Sequence, residues 1–219
     1  MKYFDTLPSI INSDYNGNTI VLKNLLARAT LLPQLETNTL LFYTYASQDG
    51  DTPETVAYKY YGDQYRYWIV LYGNGSLDPQ FDWPLSSQQF GSFIISKYIN
   101  DAAYDLNISI DIITNSQVLS YLQSTIHHYD KIITTTDNTT KTQSIKTIEI
   151  DANAANQVIT GTSTVTFSDG SSATQTVFVS PISIYDYENT LNENKRNIKL
   201  INSSYVGAME SQLQSLMSK

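Results

Sequence analysis

Two adjacent histidines are the residues of this chain best suited to metal or acid–base chemistry. His127 and His128 are its only histidines, and their imidazole nitrogens could bind a transition metal. In a regular strand, neighbouring side chains point to opposite faces, so we expect the two rings not to share one ion. We therefore interpret them as a structural part of a β region, and we predict no metal site and no cofactor.

Closely spaced aspartates are the second candidate for chemistry. Asp49 and Asp51 flank Gly50, and Asp78 and Asp82 stand in one loop. A glycosidase needs one acid in an apolar pocket and a second acid about 5 to 9 Å away, an arrangement that sequence alone leaves open. Asp51 has a simpler role, because an aspartate in the turn before a helix accepts hydrogen bonds from free backbone amides. No nucleophile, phosphate-loop or zinc-protease motif occurs, and we predict that the chain is not an enzyme.

Composition restricts the class of partner. The net charge of −8 argues against a nucleic-acid partner or an anionic membrane surface, and no run of 18 apolar residues could span a bilayer. The absence of cysteine excludes disulfides and thiolate metal sites. Charged residues make up only 16% of the chain, whereas there are 17 tyrosines. Tyrosine suits surfaces buried against partners and is equally an ordinary strand residue, so both interpretations stay open.

The secondary-structure elements that must position these residues are predicted most clearly just after Gly50. Thr52 is predicted to cap a helix that has Pro53 at its first position and ends at Gly62. Asp63 can cap a second helix, whose apolar stripe includes Trp68. Helices of about three turns or fewer are marginal alone, so we expect the pair to pack on each other and on two strands.

This stretch resembles a LysM module, a small βααβ domain. The matching residues are Tyr45, Gly50, Asp51, Thr52, Val56, Ala57, Tyr60, Trp68, Ile69 and Asn74. The usual closing-strand pattern is missing. Asp82, Trp83, Pro84 and Leu85 stand in its place, and Trp83 packs either across the helices or into a partner. LysM modules bind N-acetylglucosamine chains in a groove between two loops, which by motif correspond to Asp51, Thr52, Pro53, Asn74, Gly75, Ser76 and Leu77.

A narrower resemblance covers most of the chain, from about residue 3 to residue 217. Its motifs are residues 50–54, 61–62, 67–68, 82–85, 185–189 and 192–196. Together they resemble the LysM-containing baseplate wedge subunit of contractile-tailed bacteriophages. The resemblance implies a non-enzymatic structural subunit of the virion, at the tail baseplate, that is assembled in the host cytoplasm.

The partners that the resemblance implies are other wedge proteins and neighbouring wedges, with six copies per plate. The LysM-like groove would then serve protein contact, and we expect no sugar binding. The alternative is a LysM-type accessory module that binds peptidoglycan or chitin. Tandem repeats, a secretion signal or a linked catalytic domain would favour that alternative.

We predict an α+β fold with five segments. They are an N-terminal arm (1–43), the LysM-like domain (44–85), a mixed connector (86–126), a β-hairpin region (127–184) and a C-terminal partner-binding segment with a helix (185–219). Asn16 and Gly17 predict a turn in the arm, and turn residues at 137–138 and 168–171 predict two hairpins. The last segment mixes tyrosine with charge, a composition that suits an interface. It then carries an apolar helical stripe that needs a partner surface, either inside this chain or on another. Its predicted partner-binding residues are Tyr185, Tyr187, Glu188, Lys195, Arg196, Val206, Met209, Leu213 and Leu216.

Overall fold

The computed structural model describes residues 2–27, 40–76, 78 and 82–217. After a 3-10 helix (Tyr3–Thr6), its strands and helices are β1 Ser9–Ser13, β2 Thr19–Lys23, β3 Phe42–Ala46, α1 Pro53–Tyr61, α2 Tyr67–Gly73, α3 Ser87–Asp105, α4 Asn115–Ser124, β4 Ile126–Asp137, β5 Gln143–Ile150, α5 Ala152–Gln157, β6 Gly161–Thr166, β7 Ser172–Ser183, α6 Ile184–Asn194, β8 Asn197–Ile201 and α7 Ser203–Met217. This mixture of helices and strands confirms the predicted α+β class.

The chain forms two compact units. Unit 1 is Met1–Gln89 together with Asn192–Lys219, and unit 2 is Phe90–Leu191. Unit 2 is thus inserted into the sequence of unit 1. Within the described ranges, no helix combines the length and the apolar character that a membrane crossing requires.

Unit 1 begins with an antiparallel hairpin of β1 and β2. The Asp14 carboxylate accepts hydrogen bonds from the N–H groups of Asn16 and Asn18, and Gly17 takes a left-handed conformation with φ of 79°. The predicted turn at Asn16 and Gly17 is confirmed. The segment that we predicted as an extended arm therefore contains paired strands.

Local signals set both ends of α1. The Thr52 hydroxyl accepts the N–H of Thr55, and the Thr55 hydroxyl accepts the N–H of Thr52, which forms a capping box. Gly62 ends the helix with φ of 71°. A short 3-10 turn capped by Asp63 then leads into α2. The predicted pair of capped helices is confirmed.

The strand that pairs with β3 beside these two helices comes from far along the chain. β8 pairs antiparallel with β3, so that Tyr43 lies opposite Leu200 and Tyr45 lies opposite Ile198. The buried core of unit 1 draws on both ends of the sequence: Leu7, Leu41, Val56, Ala57, Tyr61, Trp68, Ile69, Val70, Trp83, Ile198, Leu200, Ile201, Val206, Leu213 and Met217. This core extends well beyond residues 44–85, the segment that we expected to form the LysM-like domain.

Unit 2 combines helices with a four-stranded antiparallel sheet of order β5-β4-β7-β6. The β4–β5 and β6–β7 hairpins confirm the two predictions made from turn residues. Buried apolar side chains come from α3 and α4: Phe90, Ile94, Ala102, Ala103, Val118 and Leu122. All residues of the sheet are described, and none of its four strands carries a fully buried side chain.

A β-bulge stands at the start of β4. Ile126 pairs with Ser183 and His128 pairs with Ile182, so His127 is the extra residue on β4. The two histidine rings turn toward each other, with their Nδ1 atoms 2.8 Å apart. Our expectation that the rings point to opposite faces is wrong, because that alternation holds only for a regular strand.

Candidate protein interaction surfaces

Asp51, the first predicted groove residue, is engaged inside unit 1. Its buried carboxylate accepts hydrogen bonds from the Tyr45 hydroxyl at 2.8 Å and the Gln48 N–H at 2.9 Å, and it forms an ion pair with Lys59. Burial alone would raise the pKa of Asp51. The hydrogen bonds from Lys59, Gln48 and Tyr45 outweigh burial and hold that pKa below its ordinary value. Asp51 therefore fixes the loop between β3 and α1.

Trp83, from the segment between α2 and α3, contacts the same loop. Its ring is buried in the core of unit 1, and its Nε1 donates a hydrogen bond to the Asp51 carbonyl oxygen at 2.7 Å. Of the two readings of Trp83, packing against the helix pair is confirmed. Thr52 and Pro53, the other predicted groove residues here, form the start of α1.

Asn74 forms three hydrogen bonds in the second predicted loop. Its side-chain nitrogen donates to the carbonyl oxygens of Val70 at 2.7 Å and Lys199 at 2.9 Å, and its oxygen accepts the Lys199 N–H at 2.7 Å. Asn74 thereby ties the end of α2 to β8. Gly75 follows with φ of 62°, and the Ser76 hydroxyl oxygen is buried with no hydrogen-bond partner among the described residues. Leu77 lies outside the described residues.

The tyrosines of the predicted C-terminal segment pack within unit 2, to which they belong. The ring of Tyr185 packs edge-on against Phe90, with centroids 5.8 Å apart. The ring of Tyr187 stacks on His127, with centroids 3.9 Å apart and planes inclined by 9°. Both rings therefore have neighbours within this chain.

Glu188 is buried in unit 2 and faces α3. Its carboxylate accepts hydrogen bonds from Lys97 Nζ at 2.7 Å and from the Tyr98 hydroxyl at 2.6 Å. Burial would lower the pKa of Lys97, but the bond to Glu188 outweighs burial and raises that pKa. The sequence patterns singled out Glu188 but did not reveal its partners, which lie about 90 positions earlier in the chain.

The two basic residues of the predicted C-terminal segment, Lys195 and Arg196, lie in different surroundings. Arg196 is held in unit 1, where its Nε contacts both carboxylate oxygens of Glu193 at 2.8 Å. Its guanidinium also donates to the Leu85 carbonyl oxygen at 3.3 Å and lies 3.6 Å from Asp49. Lys195 is exposed on the surface.

The apolar stripe of α7 packs mostly inside unit 1. Val206 and Leu213 are buried, Met209 is partly buried against the core, and Arg66 holds Glu210 with an Nε–Oε1 distance of 3.1 Å. Leu216, predicted to continue the stripe, is 64% exposed, and Met217 is buried in its place. Helix geometry explains why Met217, and not Leu216, lies on the buried face. At about 100° per residue, position 217 lies roughly 20° from position 206, whereas position 216 lies roughly 80° away.

The β1–β2 hairpin exposes apolar side chains on both of its faces. Ile10 lies opposite Leu22, and Ile11 lies opposite Val21, which alternation places on the other face. All four are exposed, Ile11 at 78% and Val21 at 68%. The apolar run at residues 20–22 is the sequence signal for this exposed surface.

A comparison with known protein families identifies the family of the chain. The family model described as base plate wedge protein 53 of phages matches residues 12–216. The chain belongs to the base plate wedge protein 53 family. No curated protein matches it. Membership in this family makes the chain a structural protein of the phage base plate, located in the virion and in contact with other base plate proteins.

Proposed function

We propose that this member of the base plate wedge family joins wedge proteins to one another and to the neighbouring wedge, through protein–protein contacts and without catalysis. The plate would belong to a contractile tail and hold six copies of the chain, assembled in the host cytoplasm. The exposed apolar β1–β2 hairpin is the observation that carries this proposal.

A two-stranded hairpin that stands alone is marginal in water, and apolar side chains on both faces raise the cost of leaving it uncovered. The hairpin is anchored at its base, where Lys23 Nζ donates to the carbonyl oxygens of Asp5 at 3.1 Å and Leu7 at 2.9 Å. Among the described residues, no other strand pairs with its outer edges, whose backbone groups can add to a partner's sheet. These features suit a segment that a neighbouring base plate protein covers on both sides.

The sheet of unit 2 offers a second surface. Its two edge strands are exposed along almost their whole length, and they carry Ile145 and Val165 at 67% and 54% exposure. Threonine pairs cross between β6 and β7, with Thr162 and Thr176 hydroxyls 3.1 Å apart. We propose that this sheet, Lys195 and Leu216 supply further wedge contacts.

We also propose that β3, α1, α2 and β8 together form the LysM-like module, with its closing strand supplied by β8. This explains why the usual closing pattern is missing after Asn74. The groove positions Asp51 and Asn74 use their side chains to hold the module together, which supports a protein-contact role for this surface and argues against sugar binding.

Double substitution of Ile11 and Val21 by serine tests the hairpin. Both side chains are exposed, so we expect the free protein to keep its stability within about 0.5 kcal/mol. Co-expression with the other wedge proteins of the same phage, followed by purification of the assembled wedge, should show strong loss of this chain. The matched control exchanges the two residues, Ile11→Val with Val21→Ile, and should assemble normally. Normal assembly of the serine variant would contradict the proposal.

Titration with N-acetylglucosamine oligomers separates this function from its alternative. We expect no saturable binding below about millimolar concentration, a free energy near −4 kcal/mol. A micromolar site that Asn74→Ala abolishes would instead support the peptidoglycan- or chitin-binding module.

A further inference from the structure

We propose that His127, His128 and Glu149 form a binding site for a divalent transition-metal ion, and that zinc is its best fit. The site lies at the bulged start of β4 in unit 2. The proposal is independent of the wedge function. It rests on the placement of three ligand atoms, on a carboxylate that can orient one ring, and on an aromatic ring that holds the other.

The ligand atoms already lie together. One nitrogen from each histidine and one oxygen of Glu149 are all within 4.8 Å of one another. Two imidazoles and a carboxylate are ligands that zinc accepts in a tetrahedral site, and they leave a fourth position for water. Two nitrogens bound to tetrahedral zinc stand about 3.3 Å apart, so the observed 2.8 Å between the Nδ1 atoms requires an opening of about half an ångström.

Strand register explains why Glu149 joins the histidines. Glu149 lies directly opposite Asp130 in the β4–β5 ladder, and Asp130 follows His128 by two residues. Alternation therefore places His128, Asp130 and Glu149 on one face of the sheet. His127 belongs to the other face by alternation, but the bulge redirects it toward His128.

The surroundings hold the rings as a metal site requires. His128 Nε2 lies 3.4 Å from an Asp130 carboxylate oxygen, which leaves Nδ1 as the atom that faces His127. A carboxylate on the distal nitrogen is the usual partner of a metal-binding histidine and fixes its orientation. Tyr187 stacks flat on the His127 ring and meets the His128 ring edge-on.

Electrostatics favour a cation at this point. Asp130 and Glu149 are like charges directly opposite each other on neighbouring strands, an arrangement that is unfavourable without a compensating charge. In the metal-free protein, the short contact between the two Nδ1 atoms requires a proton on one of them. A neutral imidazole that binds the ion through Nδ1 carries its proton on Nε2, so the ion replaces this hydrogen bond.

Titration of the full-length, chelator-treated protein with zinc tests the proposal, with cobalt as a spectroscopic probe of the ligand geometry. The chain has no cysteine and no third histidine, which lowers the background from other sites. We expect one ion per chain and a dissociation constant of about 10 µM or tighter. The cobalt complex should show the intense visible bands of a tetrahedral ion.

Three variants assign the roles. His127→Gln and Glu149→Gln each remove a ligand and should weaken zinc binding at least tenfold, while Asp130→Asn should weaken it by about 10- to 100-fold through loss of ring orientation. Glu54→Gln, which changes an exposed carboxylate in unit 1, is the matched control and should bind as the unchanged protein does. Circular dichroism checks that each variant is folded. Absence of binding below about 100 µM, or an affinity in both ligand variants equal to that of the unchanged protein, would overturn the proposal.

Discussion

Replacing Leu200 by alanine tests whether the helix pair of unit 1 depends on a strand supplied from far along the chain. Leu200 has no exposed surface, and it lies opposite Tyr43 in the β3–β8 ladder. Truncation of a buried leucine costs about 2 to 5 kcal/mol, through lost apolar transfer energy and the cavity left behind. Because Asn74 holds the backbone of β8 at Lys199, little collapse of the cavity is possible, and we expect about 3 to 5 kcal/mol.

Tryptophan fluorescence during urea unfolding measures this cost in unit 1 alone. The only two tryptophans of the chain, Trp68 and Trp83, are both buried in the core of unit 1. Slopes of about 1 to 3 kcal/mol per molar urea convert a loss of 3 kcal/mol into a midpoint shift of roughly 1 to 3 M. The fluorescence transition should therefore move to clearly lower urea.

Leu216→Ala is the matched control, since it makes the same chemical change at a leucine that is 64% exposed. We expect it to shift the fluorescence midpoint by the equivalent of less than about 0.5 kcal/mol. If Leu200→Ala behaved like Leu216→Ala, residues 44–85 would fold without β8, and our account of the core would be refuted.

Three further predictions concern single polar contacts. Asn74→Ala removes three hydrogen bonds and should lower the unfolding free energy of unit 1 by about 1.5 to 3 kcal/mol, followed by tryptophan fluorescence; no change would mean that water replaces all three bonds. Among the described residues, Lys97→Met leaves the Glu188 carboxylate with the Tyr98 hydroxyl as its remaining partner. It should destabilise unit 2 by about 1 to 3 kcal/mol, measured by circular dichroism, whereas Lys97→Arg should retain most of the stability. The folded pKa of Asp51 lies below its ordinary value of 3.8, so the ionised carboxylate stabilises unit 1 above about pH 4, and this stabilisation is lost as the pH falls through the folded pKa. Asp51→Asn should therefore make the unfolding free energy of unit 1 less dependent on acid pH. An unchanged pH profile would count against the lowered pKa.

Local signals were sufficient for much of this fold. The limits of α1 follow from Thr52, Pro53 and Gly62, whose preferences act within one or two turns of the helix. The hairpins follow from turn residues such as Asn16 and Gly17, since the chain must reverse there whatever surrounds it. These elements could be predicted because the interactions that form them join residues close together in sequence.

Contacts between residues that are distant in the sequence could not be predicted from the sequence patterns. The sequence of β8 contains no feature that identifies β3 as its partner, and the whole of unit 2 separates the two strands in the sequence. The C-terminal stripe was predicted to need a partner surface, either inside this chain or on another, but its sequence did not show which; most of it is covered within unit 1. The bulge at His127 has no Gly or Pro signal, so strict alternation separated two rings that the structure brings together. The partner-binding roles of the predicted residues stay predictions.

The insertion of unit 2 has a consequence for the stability of unit 1. Asn74 and Lys199, which hydrogen bonds join, are 125 positions apart, and closing so long a flexible loop is entropically costly. Within unit 2, however, Phe90 near its start contacts Tyr185 near its end, and Lys97 contacts Glu188. Once unit 2 has folded, the flexible part of the loop shrinks to roughly 20 residues, which lowers the closure cost by about 1.5 kcal/mol. Packing of α3 against α6 therefore favours the pairing of β8 with β3, although it makes no contact in that ladder.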